Sequence, residues 1–120
     1  MSYDIRFKVP VAGVDGCWVN VGECYANITW NVRKIIEMST GLEWKNGANN
    51  GLCIDVIPKI EKGFWELHSR PEKYKQYEAS NGWGTVAGTK GFFEYILNAW
   101  NDFRRENEEE LVNVTTFWIE

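Results

Sequence analysis

The alternating stretch YDIRFKV at residues 3–9 decides the fold class of this chain. Its four apolar residues alternate with three charged ones, and a period of two predicts a strand that buries one face. A turn-rich segment follows and ends in Asp15-Gly16. Residues 17–21 then predict a second short strand that returns antiparallel to the first. The sequence therefore opens with a predicted β-hairpin.

After the hairpin, the apolar residues recur at every third or fourth position, which predicts helices. The first is predicted over residues 28–40, with Asn27 or Thr29 as its cap and Gly41 at its end. A second runs to about His68 and begins either near Asp55 or at Leu52 with a bend at Pro58. Residues 42–51 between them predict a polar surface loop.

The remaining chain predicts two more helices and a closing strand. Pro71 opens a short helix through Glu78, and an apolar stripe from Phe92 to Phe103 marks the main core helix, with Thr89 as its cap. Residues 111–119 predict a strand. Together these elements predict an α+β fold, a small mostly antiparallel sheet (N-terminal hairpin plus C-terminal strand) packed by three to four helices, in a single domain of residues 1–120.

The composition is typical of one globular domain of 120 residues, with 44% hydrophobic and 25% charged residues. A formal net charge of −4 disfavours binding to nucleic acid. Seven tryptophans, five tyrosines and six phenylalanines exceed what a small core needs, so some of these rings are expected to line a surface or interface.

The cysteines and the first residues indicate the cellular compartment of the protein. Three cysteines form an odd set without a Cys-x-x-Cys pair, and the opening MSYDI has no charged-then-apolar signal pattern. No apolar run approaches the roughly 18 residues of a membrane span. We therefore expect a cytoplasmic, reduced protein with no membrane partner.

Two short motifs place a tryptophan among amide and hydroxyl groups just before a predicted helix, NITWN at residues 27–31 and NGWG at residues 81–84. The simpler explanation is structural, namely helix capping in the first motif and a core-plugging tryptophan in the second. The alternative is that both grip a ligand or partner. On that alternative the binding residues are Asn27, Thr29, Trp30, Asn31, Asn81 and Trp83.

The order of these motifs resembles a family of small uncharacterised bacterial and phage proteins. The resemblance lies in YDI at residues 3–5 opening a strand, in an Asn-x-Thr-x-Asn helix start and in an Asn-Gly-Trp-Gly loop. The chain departs from many members at Cys17-Trp18 and in its hydrophobic C-terminal strand. The resemblance implies no activity.

No Walker loop, Rossmann fingerprint or serine elbow is present, so no catalytic residue and no cofactor is predicted. Three cysteines and the single histidine, His68, lack the short paired spacing of a zinc site, so no metal is predicted. We therefore expect a non-catalytic binding or accessory protein, phage-encoded on the resemblance, that holds an unknown protein or small-molecule ligand. The alternatives are a small hydrolase or transferase that uses His68 and a carboxylate, and a homodimer sealed by the tryptophans.

Overall fold

A computed structural model describes residues 2–120. Within them it contains five β-strands, five α-helices and one 3₁₀ turn. The elements in chain order are β1 (Ser2–Pro10), β2 (Trp18–Val21), β3 (Asn27–Thr29), the 3₁₀ turn (Trp30–Val32), α1 (Arg33–Thr40), β4 (Ala48–Leu52), α2 (Cys53–Ser69), α3 (Pro71–Lys75), α4 (Val86–Glu106), α5 (Glu109–Val114) and β5 (Thr116–Ile119).

The sheet is antiparallel at every recorded pairing and has the order β2-β1-β5-β4, with β3 paired to the start of β1. Strand β1 is its centre because it pairs with three other strands. Its register places Phe7 opposite Phe117 and Ile5 opposite Ile119. The predicted strand over residues 3–9, the hairpin to β2 and the α+β class are thereby confirmed.

The helices cover one face of the sheet and the core lies between the two layers. Alternate β1 residues are buried, as their period of two requires. The Phe7 ring meets the Trp100 ring of α4 edge to face, with centroids 5.5 Å apart. Trp44 is fully buried although it lies in the connector before β4, and its ring contacts Tyr3 and Phe117.

The predicted helix over residues 28–40 is wrong in its first third. Residues 27–29 instead form β3, which pairs with β1 so that Tyr3 lies opposite Ile28. The 3₁₀ turn follows, and α1 begins only at Arg33. Backbone pairing to β1 satisfies the polar groups that a first helical turn would leave open. The predicted end is confirmed, because Gly41 caps α1 with a φ of 76°.

The predicted surface loop over residues 42–51 and the predicted strand over residues 111–119 are each wrong in part. Residues 48–52 form β4, an edge strand beside β5. Its sequence ANNGL is poor in strand-forming residues, so the backbone pairing with β5 determines its conformation. Residues 109–114 form α5, and the closing strand is only Thr116–Ile119.

The other helix boundaries differ by smaller amounts. Helix α2 begins at Cys53 and contains Pro58 in its interior. Helix α3 ends at Lys75 rather than at residue 78. Helix α4 is capped by Thr85, whose hydroxyl accepts from the Gly88 amide at 2.9 Å. The predicted cap Thr89 is instead a buried residue of that helix. In residues 2–120 no helix has the length and apolarity to cross a membrane.

Candidate functional site

The two tryptophan motifs lie far apart in sequence and meet in the fold. Gly84 makes the contact, because a Cβ at this position would lie 2.8 Å from Val32 Cγ1 and 3.1 Å from Asn31 Cβ. Its φ of +87° is also one that side-chain-bearing residues rarely adopt. Gly84 therefore lets the 81–84 loop approach the 3₁₀ turn closely.

Trp83 stands between two adjoining clefts that this contact creates, and we call the pair the tryptophan groove. One cleft, of about 590 Å³, lies between β3 and the first half of α4. The other, of about 650 Å³, lies between β3, the 3₁₀ turn and the 81–84 loop. Both are lined by Trp83, Asn27, Ile28 and Thr29.

Trp83 is the most exposed large apolar side chain in the described part of the chain, at 67%. Its indole N–H has no hydrogen-bond partner among residues 2–120. The core-plugging explanation for Trp83 is therefore wrong, because the ring faces solvent. A ring of this size left exposed beside a cleft is available to a ligand.

Trp30 lies outside both clefts and has a structural role. Its indole Nε1 donates to the Ser2 carbonyl at 2.8 Å, and its ring rests against Tyr3 with centroids 6.0 Å apart. These contacts tie the 3₁₀ turn to the start of β1. Of the six predicted site residues, the structure brings five to the groove and leaves out Trp30.

Each asparagine of the groove uses one side of its amide to hold the fold. Asn27 Nδ2 donates to Ser2 Oγ at 3.0 Å and to Asp4 Oδ1 at 2.6 Å. Asn81 Oδ1 accepts from the Trp83 backbone N–H at 2.9 Å, as in an Asx turn. Asn31 Nδ2 lies 3.4 Å from Thr29 Oγ1. These contacts fix the orientation of the other polar atom of each side-chain amide.

Thr29 both caps the 3₁₀ turn and lines the groove. Its Oγ1 accepts from the Asn31 backbone N–H at 3.5 Å. That distance is at the long limit for a hydrogen bond. The Thr29 hydroxyl is thus a weak cap that keeps its own proton for another acceptor.

Tyr25 and Tyr95 also line the cleft between β3 and α4, and the sequence analysis missed both. They are 65% and 45% exposed, respectively. Two glycines on α4, Gly88 and Gly91, lie between Trp83 and Tyr95 in sequence and leave the helix surface low at the cleft. The spacing of residues 88, 91 and 95 on one helix face was the available signal.

None of the residues that line the groove is an aspartate, glutamate, lysine, arginine or histidine. The groove therefore has no carboxylate or imidazole for general acid–base catalysis. Across residues 2–120 no group of three or more potential ligands is arranged to hold a metal ion. What the groove offers is flat aromatic surface with amide and hydroxyl groups.

His68 lies outside the groove, on the last turn of α2. Its Nδ1 is 2.8 Å from Lys90 Nζ, and its ring is parallel to that of Phe64, with centroids 6.2 Å apart. No carboxylate lies within ion-pair distance of His68 in the part of the chain that the structure describes. The pairing with a carboxylate that catalysis by His68 requires is thus not formed.

The cysteines differ in exposure. Burial raises the pKa of Cys24 to about 11 and raises that of Cys53 as well. Cys17 is exposed and lies outside the groove. A buried thiol with a raised pKa is a poor nucleophile, because the thiolate is the reactive form.

No protein-family model matches the chain, and no curated protein or solved structure is significantly similar to it. The resemblance to small bacterial and phage proteins therefore rests on the short motifs themselves.

Proposed function

We propose that this chain is a non-catalytic binding or accessory protein that holds a ligand or partner segment in the tryptophan groove. The observation that carries the proposal is Trp83, which is 67% exposed and lines both clefts of the groove. Exposed tryptophans concentrate binding energy because they bury a large area at low cost in side-chain entropy. The proposed binding residues are Asn27, Thr29, Asn31, Asn81 and Trp83.

The lining supports binding over catalysis, since none of the described lining residues supplies a carboxylate, an imidazole or a thiol. A hydrolase or transferase built on His68 stays an alternative prediction, and no contact of His68 with a carboxylate favours it. An accessory role is part of the proposal, in a phage-encoded setting suggested by the sequence resemblance and a cytoplasmic one suggested by the cysteines and the first residues. In the homodimer alternative, a second copy of the chain covers Trp83 and occupies the same groove.

A fragment screen followed by NMR of the indole N–H signals tests the proposal. Fragments that bind the groove are expected to shift the Trp83 indole signal and to lose binding in Trp83→Ala. Trp65→Ala is the matched control, because Trp65 is 54% exposed and lies on α2, outside the groove. The proposal fails if no fragment shifts the Trp83 signal, or if Trp83→Ala binds every fragment as the native chain does. Light scattering at several concentrations, on both variants, tests the homodimer.

A further inference from the structure

The lining of the tryptophan groove narrows the class of its ligand. We infer that the groove binds an uncharged oligosaccharide, and this inference rests on the proposed binding function. Three properties of the lining carry it, namely the absence of charge, the separate exposed rings and the balance of free donors and acceptors.

The absence of charge excludes most ionic ligands. A quarter of the chain is charged, yet among residues 2–120 no charged side chain lines either cleft. A phosphate, sulfate or uronate group would lose hydration in the groove, and none of these lining residues would supply a cationic partner. Single-stranded nucleic acid carries such a group at every nucleotide and is disfavoured for the same reason.

The aromatic rings form separate platforms. Trp83, Tyr25 and Tyr95 all line the cleft between β3 and α4, and no two of them are paired with each other in the described chain. Among residues 2–120 no aromatic ring or cation packs on Trp83 or Tyr95, so these two rings keep an open face, whereas the Arg6 guanidinium lies over the Tyr25 ring, 5.7 Å from its centroid. The apolar C–H face of a sugar ring packs on such a face through dispersion and exclusion of water. Because the groove continues past Trp83 into the second cleft, it accommodates more than one sugar ring.

The free hydrogen-bonding groups include both donors and acceptors. Asn27 and Asn31 use Nδ2 in the fold, and their Oδ1 atoms accept no hydrogen bond from residues 2–120. Asn81 uses Oδ1 and keeps Nδ2 as a donor, and the Thr29 hydroxyl keeps its proton. A ligand that pairs with all of these groups must therefore carry hydrogen-bond donors and acceptors close together.

Sugar hydroxyls meet this requirement because each one donates and accepts. A proline-rich segment, the main rival for an aromatic groove, offers carbonyl acceptors but no N–H at its prolines. It would leave the Oδ1 atoms of Asn27 and Asn31 unpaired. The bonds that already orient these amides reduce the entropy lost on binding.

A glycan array that carries neutral and acidic oligosaccharides, probed with the full chain, is the first test. We expect binding to neutral oligosaccharides of several residues and none to uronate-bearing or sulfated ones. The best neutral oligosaccharide is then titrated by calorimetry against variants. Trp83→Ala is expected to weaken binding about tenfold or more, as is usual when a central aromatic residue is truncated, whereas Trp65→Ala leaves it unchanged.

Asn81→Asp is a sharper variant because it keeps Oδ1 and with it the turn to the Trp83 amide. It replaces the free Nδ2 donor with a charged carboxylate oxygen, so a ligand group that accepts from Nδ2 loses its hydrogen bond and meets a negative charge. We expect binding to weaken by roughly threefold or more, since the loss of one hydrogen bond alone has about that effect, with the thermal stability of the native chain retained.

The possible outcomes distinguish a wrong ligand class from a wrong proposed function. Absence of any neutral glycan hit, a preference for acidic glycans, or equal binding by Trp83→Ala overturns the inference. If an uncharged proline-rich decapeptide binds instead and Trp83→Ala abolishes that binding, the oligosaccharide inference is wrong and the proposed function stands. If the fragment screen also shows no dependence on Trp83, both are wrong.

Discussion

Replacing Gly84 by alanine tests the contact that assembles the groove. Two costs add in Gly84→Ala. The φ of +87° costs a side-chain-bearing residue about 1–2 kcal/mol. The new Cβ would also lie 2.8 Å from Val32 Cγ1 and 3.3 Å from the Asn31 backbone carbon, and overpacking of this kind costs about 1–3 kcal/mol. We expect the free energy of unfolding to fall by about 2–5 kcal/mol.

Gly82→Ala is the matched control within the same loop. Gly82 has a similar φ of +77°, and a Cβ there would meet no atom within 4 Å. Gly82→Ala is therefore expected to lower the free energy of unfolding only by the cost of its positive φ, about 1–2 kcal/mol. The difference between the two variants, about 1–3 kcal/mol, isolates the contact between the loop and the 3₁₀ turn.

Urea unfolding followed by circular dichroism measures both variants against the native chain. Each kcal/mol corresponds to a shift of roughly 3–6 °C in Tm for a domain of this size. A loop that relieves the clash by swinging outward would lose less stability but would shift the Val32 methyl signals in NMR spectra. If Gly84→Ala matches Gly82→Ala in stability and leaves the Val32 methyl signals unchanged, the close contact between the loop and the 3₁₀ turn does not contribute to stability.

Three further predictions concern helices α2 and α4 and the buried Cys24. Gly63→Ala would place a Cβ 2.6 Å from a buried side chain and should lower the free energy of unfolding by about 1–3 kcal/mol. A Cβ at Gly91 would meet no atom within 4 Å, so Gly91→Ala should raise that free energy by up to about 1 kcal/mol. Thermal unfolding should therefore show a lower Tm for the first variant and a higher Tm for the second. Pro58→Ala restores a helical hydrogen bond inside α2 and should stabilise by about 1–2 kcal/mol in urea unfolding, and a loss would contradict it. Since burial raises the pKa of Cys24 to about 11, the folded state holds this proton more tightly than the unfolded state. Stability should fall as pH rises from about 9 to 11, and Cys24→Ala should reduce that slope while Cys53, whose pKa burial also raises, keeps the remainder; an unchanged slope would remove Cys24 as one of its causes.

The helices and the first strand were predictable because their periodicity reports which side of each element is buried. Residues 3–9 alternate with a period of two, and α2 and α4 repeat their apolar residues at helical spacing. The strand predicted over residues 111–119 was wrong in its first part because residues 111–114 are strand-like in composition but lie in α5. Short apolar runs carry no period by which to distinguish a helix from a strand.

The candidate site was predictable in part. Local sequence marked the two motifs, and five of the six residues predicted from it reach the groove. It did not separate Trp30 from Trp83, because both have the same kind of neighbours in sequence. Their difference comes from β1, whose Ser2 carbonyl accepts the Trp30 indole and whose Tyr3 supports its ring.

The sequence by itself determined the α+β class, the hairpin, the amphipathic helices and an uncommon supply of aromatic rings. Each of these follows from composition or from contacts between residues near in sequence. Only the tertiary structure decided that residues 48–52 become an edge strand and that the two tryptophan motifs adjoin at Gly84. The physical reason is that backbone pairing to β5 and close approach at a glycine involve partners about 50 or more positions away, which local patterns do not encode.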